Sequence, residues 1–145
     1  MRRAIYWIPH PLAALLLARP AAVDLISPWL NHHEMATIIL AYAEVVEYSK
    51  DFSGAKRRQS QLRTLLGEVY PYFLTYPILE RYTDIRRSLR RPQGKGLIGD
   101  IDTLIAATAL ERNLTVVTIA SDFQRVPNLK VILLSPSSMK VLSTP

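Results

Sequence analysis

The feature that most constrains this chain is the alternation, along nearly its whole length, of short β-branched runs with segments of helical period. Residues 4–8 read as a short buried strand, and residues 11–19 as a helix entered through proline in its first turn. Pro20 opens a second helix that Pro28 ends or kinks. Residues 35–40 form a second strand, and residues 41–50 carry Ala41, Val45 and Tyr48 at helical spacing. A loop at 51–55 precedes a basic amphipathic helix with Leu62, Leu65, Leu66 and Val69 on its buried stripe. Residues 72–76 read as another strand, and residues 77–91 as a helix with Ile78, Tyr82, Ile85 and Leu89 inward. The glycine-containing break at 92–99 leads into the strongest helix, 100–113, which runs directly into a strand at 114–118. A last strand spans 129–134, ahead of a Ser/Pro-containing tail at 135–145. Parallel strands need crossover connections, so this order predicts an α/β chain, with helices on both faces of a central parallel sheet. The expected organisation is one domain over residues 1–134 followed by the tail.

Composition narrows what such a fold does. A chain of 145 residues suffices for one core, and 49% hydrophobic residues with 21% charged is too apolar for a disordered chain. The absence of cysteine excludes disulfides, thiolate zinc sites and cysteine nucleophiles, leaves oxygen or histidine for any metal, and suits a reducing cytoplasm. A formal net charge of +6 favours a polyanionic partner, because phosphate neutralisation releases counterions. The apolar run at 11–18 falls short of the roughly 20 residues that span a bilayer. Arg2 and Arg3 precede an apolar stretch as in a signal peptide, but Pro9, His10 and Pro11 interrupt it. The expectation is a cytoplasmic protein without a membrane segment.

With only 12 acidic residues, their placement carries information. Glu44 lies in the helix after the second strand, Asp100 and Asp102 open the strongest helix, and Asp122 follows the strand at 114–118. Carboxylates meeting beyond the carboxyl ends of parallel strands would make an oxygen-only pocket suited to Mg²⁺ or Mn²⁺. Spacing alone equally supports Asp100 as a helix cap, Asp102 as a first-turn acid, Glu44 as a solvated helix residue and Asp122 as a turn former.

The runs 99–110 (Gly-Asp-Ile-Asp-Thr-Leu-Ile-Ala-Ala-Thr-Ala-Leu), 114–118 (Leu-Thr-Val-Val-Thr) and 122–129 (Asp-Phe-Gln-Arg-Val-Pro-Asn-Leu) resemble the C-terminal half of PIN domains of the VapC toxin type. Residues 36–45, ending in Ala43-Glu44-Val45, resemble that family's strand-to-helix segment bearing its glutamate. The match extends from about Leu12 to Leu134, with the middle third alike only in pattern. The resemblance implies an α/β/α sandwich, RNA hydrolysis dependent on Mg²⁺ or Mn²⁺, a toxin role opposed by an antitoxin, and a homodimer. It matches Glu44 to the second family acid and Asp102 to the third, with Asp100 a frequent extra acid. Asp122 belongs to the family's Asp-Phe pair, and the fourth acid commonly falls where this chain has Ala120.

By the same resemblance Asp102, Glu44 and Asp100 are the metal ligands, and Glu44, Asp102 and Asp122 carry the chemistry. Arg86, Arg87, Arg90, Arg91 and Lys95 form the expected RNA-binding surface, with Tyr72, Tyr76 or Tyr82 stacking bases; the bland alternative is a solvated helix face over core tyrosines.

The first family acid is missing. The family opens with a strand ending Leu-Asp-Thr, and its aspartate aligns near Ile8 in Tyr6-Trp7-Ile8-Pro9-His10. His10 is a poor substitute, since a neutral nitrogen binds Mg²⁺ weakly. Two functional classes follow: an endoribonuclease, or a catalytically inactive relative that binds RNA or an antitoxin. A purely structural α/β domain is disfavoured by the close C-terminal match. Codon structure gives the gap an origin. TGG for Trp7 followed by any isoleucine codon reads, one frame over, as GAT for aspartate preceded by a leucine codon, and by threonine afterwards if Ile8 is ATA. A pair of compensating frame changes would thus convert Leu-Asp-Thr into the present sequence.

Overall fold

The structure, a computed structural model, describes residues 4–6, 24, 27–29, 32, 34–40, 43, 46–47, 50, 56–57, 60–61, 64, 69–136 and 140–145. Strands β1 (Ala4–Tyr6), β2 (Met35–Ile38), β3 (Tyr70–Tyr72), β4 (Thr115–Thr118), β5 (Lys130–Leu134) and β6 (Val141–Ser143) form one sheet in the order β3-β2-β1-β4-β5-β6. The first five run parallel, and β6 turns back antiparallel against β5. β1 takes a central place, with Ala4 opposite both Met35 and Thr115 and Tyr6 opposite Val117. Every residue of β2 is buried, as expected of a parallel strand covered on both faces.

Two helices pack together on this sheet. Helix α1 (Tyr76–Leu89) begins where the Oγ1 of Thr75 accepts the Ile78 N–H at 3.4 Å and Pro77 presets the first turn. It buries a single stripe, Ile78, Ile85 and Leu89. Its end is closed by Gly96 N–H donating to Leu89 O at 2.7 Å and Gly94 N–H to Arg90 O at 2.9 Å. Gly96 sits at φ +115°, a conformation that side-chain-bearing residues rarely adopt.

Helix α2 (Asp100–Arg112) is different in kind, because Ile105, Ala106, Ala107, Thr108 and Ala109 are all buried in succession. Such a run leaves no solvated face in its middle, and the small side chains permit close approach to its neighbours. The buried Thr103 and Thr108 satisfy their hydroxyls by donating to the carbonyls of Gly99 and Leu104, each at 2.8 Å. Asn113 at φ 54° ends the helix, after which Leu114 N–H donates back to Ala109 O at 2.8 Å. Arg81 meets Glu111 and Arg86 meets Asp100, so the two helices pack antiparallel and the end of α1 lies beside the start of α2.

Several sequence expectations shift. β2 stops at Ile38 and Ile39 already belongs to a helix, because the chain turns at the sheet edge despite a β-branched side chain. The strand expected at 72–76 lies at Tyr70–Tyr72, since the Thr75 cap and Pro77 claim Tyr76 for α1. Pro28 lies inside a helical stretch and its carbonyl accepts the His32 N–H at 3.2 Å; proline lacks only the donor. Gly99, not Asp100, is the cap of α2. Within the expected tail, Val141–Ser143 adds the antiparallel edge strand β6, tied by Gln124 Nε2 donating to Ser143 Oγ at 3.0 Å. The polar residues of the basic amphipathic segment, Lys56, Arg57, Ser60, Gln61 and Thr64, are helical and exposed; its leucines at 62, 65 and 66 lie outside the described residues.

Candidate active site

The carboxyl edge of the parallel sheet is where β4 ends in the buried Thr118 and where α2 begins. Asp100 and Asp102 are two positions apart on α2, a separation of about 200° around the helix, so they face different ways. The structure bears this out. Asp100 turns to α1, where its Oδ1 accepts from Tyr82 Oη at 3.0 Å and from Arg86 Nη1 at 2.9 Å. The Arg86 guanidinium also lies 5.6 Å from the centre of the Tyr82 ring. One carboxylate oxygen of Asp100 is therefore taken up by the α1–α2 contact. Asp102 is half-buried, with Oδ2 near Gly99 at the helix start, where the dipole favours negative charge.

Asp122 lies in a 3₁₀ turn at Ser121–Arg125 that follows β4 and is pinned by the fully buried Phe123. Its Oδ1 accepts from Arg125 Nη2 at 2.7 Å, while Arg125 Nη1 donates to Gly96 O at 3.3 Å. Arg125 thereby ties this turn to the loop that leads into α2. Sequence reading missed this role, although the i,i+3 spacing of Asp122 and Arg125 on a short helical turn was a signal for the ion pair. At Ala120, where the resemblance expected an acid, the backbone N–H donates to Thr118 Oγ1 at 3.0 Å.

Among the described residues, no three histidine, aspartate or glutamate side chains gather closely enough to hold a metal ion. Asp100 and Asp122 are drawn to Arg86 and Arg125, so they do not form a cage with Asp102 by themselves. Glu44, Ile8 and His10 lie outside the described residues. The donor chemistry fits a hard cation, since the chain offers carboxylates and a hydroxyl at this edge and has no thiolate.

The basic candidates separate. Arg86 is neutralised by Asp100, whereas Arg87, Arg90, Arg91 and Lys95 make no ion pair among the described residues. Arg91 donates to Lys95 O at 3.2 Å and its guanidinium packs over Gly96 beside that of Arg125. Of the candidate stacking rings, Tyr76 is 84% exposed, Tyr82 is held by Asp100, and Tyr72 packs against Tyr70 and under Arg112.

The family model of the PIN domain matches residues 11–129. The chain belongs to the PIN domain family. Its α/β fold around a parallel sheet is the PIN fold, and solved structures share it. VapBC2 from Rickettsia felis bound to a promoter DNA fragment aligns at a TM-score of 0.72 and 22% identity, covering 88% of this chain and 96% of that one. DNA-bound VapBC from Salmonella typhimurium gives 0.73 and 16%, covering 90% and 97%. VapBC-1 from nontypeable Haemophilus influenzae gives 0.72 and 19%, covering 90% and 96%. At these identities the likeness is one of fold. No curated protein matches the chain. In this PIN domain the family match begins only at Pro11, yet β1 occupies the middle of the sheet. The first strand is thus present as structure while its sequence falls outside the match. Among the described residues no helix is long and apolar enough to cross a membrane.

Proposed function

We propose that this PIN domain is an endoribonuclease, the toxin of a toxin–antitoxin pair, whose activity is weakened by the absence of a carboxylate after β1. The observation that carries the reading is the half-buried Asp102 at the start of α2, beside the carboxyl edge of the sheet of a PIN fold. Asp102 and Glu44 would hold Mg²⁺ or Mn²⁺, Asp100 and Asp122 would contribute through water, and the ion would supply an activated water and neutralisation of phosphoryl charge for RNA hydrolysis. The protein's own part is positional. Tyr82 and Arg86 fix Asp100, Arg125 fixes Asp122, and the α2 N-terminus favours both the Asp102 carboxylate and an approaching phosphate. Arg87, Arg90, Arg91 and Lys95 would hold the RNA backbone, and the exposed Tyr76 would stack a base.

The antitoxin partner is proposed because the similar structures include a toxin–antitoxin complex from Klebsiella pneumoniae and the VapBC assemblies named above. A homodimer and a cytoplasmic location belong to the same reading. The second reading, an inactive relative that binds RNA or antitoxin, is favoured by Ile8 and Ala120 at two expected acid positions. Cleavage of RNA with Mn²⁺, abolished by chelation, supports the enzyme; salt-sensitive RNA binding with no cleavage at any Mn²⁺ concentration supports the inactive relative.

A further inference from the structure

Gly96 lies where three segments meet: the end of α1, the 3₁₀ turn at Ser121–Arg125 and the loop that enters α2. It is buried, and its N–H donates to the carbonyl of Leu89, the last residue of α1, at 2.7 Å. Its own carbonyl accepts from Arg125 Nη1 at 3.3 Å, while Arg125 Nη2 donates to Asp122 Oδ1 at 2.7 Å. We infer that Arg125 is a positioning residue for Asp102: by bridging Asp122 and the Gly96 carbonyl, it sets the loop on which the first turn of α2 is built. The inference deepens the nuclease reading and rests on it for the role of Asp102.

The path from Arg125 to Asp102 is short. Gly99 gives α2 no side-chain cap, so the first turn takes its place from the backbone that enters it. Thr103 donates twice to the Gly99 carbonyl, from its N–H at 2.9 Å and from its Oγ1 at 2.8 Å. Ile98, between Gly96 and Gly99, is buried, which anchors the connecting backbone. Asp102 precedes Thr103, and its Oδ2 lies 3.9 Å from where a side chain on Gly99 would begin. A shift at Gly96 is thus handed through Gly99 to Thr103 and to the carboxylate beside it.

The junction leaves no room for another side chain. Gly96 has φ +115°, and a Cβ there would stand 3.1 Å from Arg91 Nε and 3.4 Å from Arg125 Nη1. Both guanidinium groups therefore close on one small patch of backbone, with Arg91 also donating to Lys95 O at 3.2 Å. Like charges so close repel, and the Asp122 carboxylate offsets that of Arg125. The planar fork of a guanidinium serves Asp122 and Gly96 O from two different nitrogens. A lysine would keep the charge but carries its donors on one nitrogen, so the two-ended bridge would be lost. The bland alternative is that burial of Thr103 and Ile105 fixes α2 by itself and Arg125 only ties down a loop.

The test compares wild type, R125K and R81Q, the last of which breaks an ion pair to Glu111 near the far end of α2. Amide hydrogen exchange is read by NMR on the metal-free full chain, and Mn²⁺ affinity by EPR titration without RNA. In R125K the amides of Gly96 and Thr103 should exchange roughly two- to twelvefold faster, the net worth of one hydrogen bond. Those of Ala107 and Ala109, in the buried middle of α2, should keep wild-type protection. Mn²⁺ affinity should fall about tenfold in R125K, as when an outer partner of a metal site is lost, and R81Q should match wild type in both measurements. Wild-type exchange at Thr103 in R125K overturns the inference and leaves the nuclease reading standing. Faster exchange there with unchanged Mn²⁺ affinity makes Arg125 a structural tie only, and protection lost throughout α2 marks a general weakening of the fold; either result also overturns it. A wild type that binds no Mn²⁺ overturns the metal-dependent reading and this inference together.

Discussion

Helices α1 and α2 lie side by side and solve different problems. α2 buries Ile105 through Ala109 in an unbroken run, whereas α1 buries one stripe and leaves Tyr76, Leu79 and most of its arginines to solvent. Asp100 and Asp102 stand at the start of the buried helix, whereas Arg87 on the exposed one, and Arg90, Arg91 and Lys95 just past its end, make no ion pair among the described residues. A carboxylate that must meet others within tenths of an ångström belongs on an element fixed from all sides. A cation that meets a flexible polyanion needs only to be near and unpaired. The contrast teaches that a fixed acidic helix start and an exposed basic helix end are divided between two neighbours, joined by the Tyr82–Asp100–Arg86 contact; on the proposed reading they would serve chemistry and grip.

The largest expected effect is at the buried helix's first turn. D102N should reduce Mn²⁺-dependent cleavage by more than the roughly 10–100-fold that loss of an outer partner costs a metal site. Its Tm should change little. Retained cleavage in D102N, by the fluorescence of a doubly labelled RNA, would remove α2 as the seat of chemistry.

Stability gives the second contrast. Ile105→Ala, at a side chain with no exposure, should cost about 2–5 kcal/mol in urea unfolding. Leu79→Ala, at 38% exposure on α1, should cost well under half of that. Equal losses would mean that α1 is as deeply built in as α2.

Smaller again is the expected gain from Ile8→Asp. A restored carboxylate after β1 should tighten Mn²⁺ binding about tenfold, or about 1.4 kcal/mol, and raise cleavage in step. The fold should tolerate the present sequence, because the altered segment remains apolar. Sequencing the gene across codons 6–10 checks the frame hypothesis. A confirmed single frame, with full Mn²⁺-dependent activity of the chain as it stands, would refute both the frame changes and the impairment.

The smallest effect is on the link between the helices. The Arg86–Asp100 pair, with side chains 30% and 71% exposed, should contribute only about 0–1 kcal/mol in a double-mutant cycle of R86A and D100N. A coupling above about 2 kcal/mol would show the contact to be a structural strut rather than a positioning device.

Some of this protein was determined by sequence alone. Residues 100–118 declared a helix running into a strand because the acids of the first turn, the alanine- and leucine-rich run after them and the β-branched Thr-Val-Val-Thr all agree locally. The α1 stripe was legible for the same reason. The order of strands and helices predicted a mostly parallel α/β arrangement, since parallel neighbours need a crossover long enough to hold a helix. Tertiary structure decided what short-range pattern cannot encode. Asp100 and Asp102 look equivalent in sequence, but packing against α1 commits the former to Tyr82 and Arg86. Arg86, Arg87, Arg90 and Arg91 read as one basic surface, yet only the position of Asp100 decides which of them is already neutralised. β6 was invisible because Val-Leu-Ser is too short to announce itself and becomes a strand only where β5 offers an unpaired edge. Local periodicity chooses elements, but the partner of each polar atom is set by residues distant in the chain, and those are brought near only by folding.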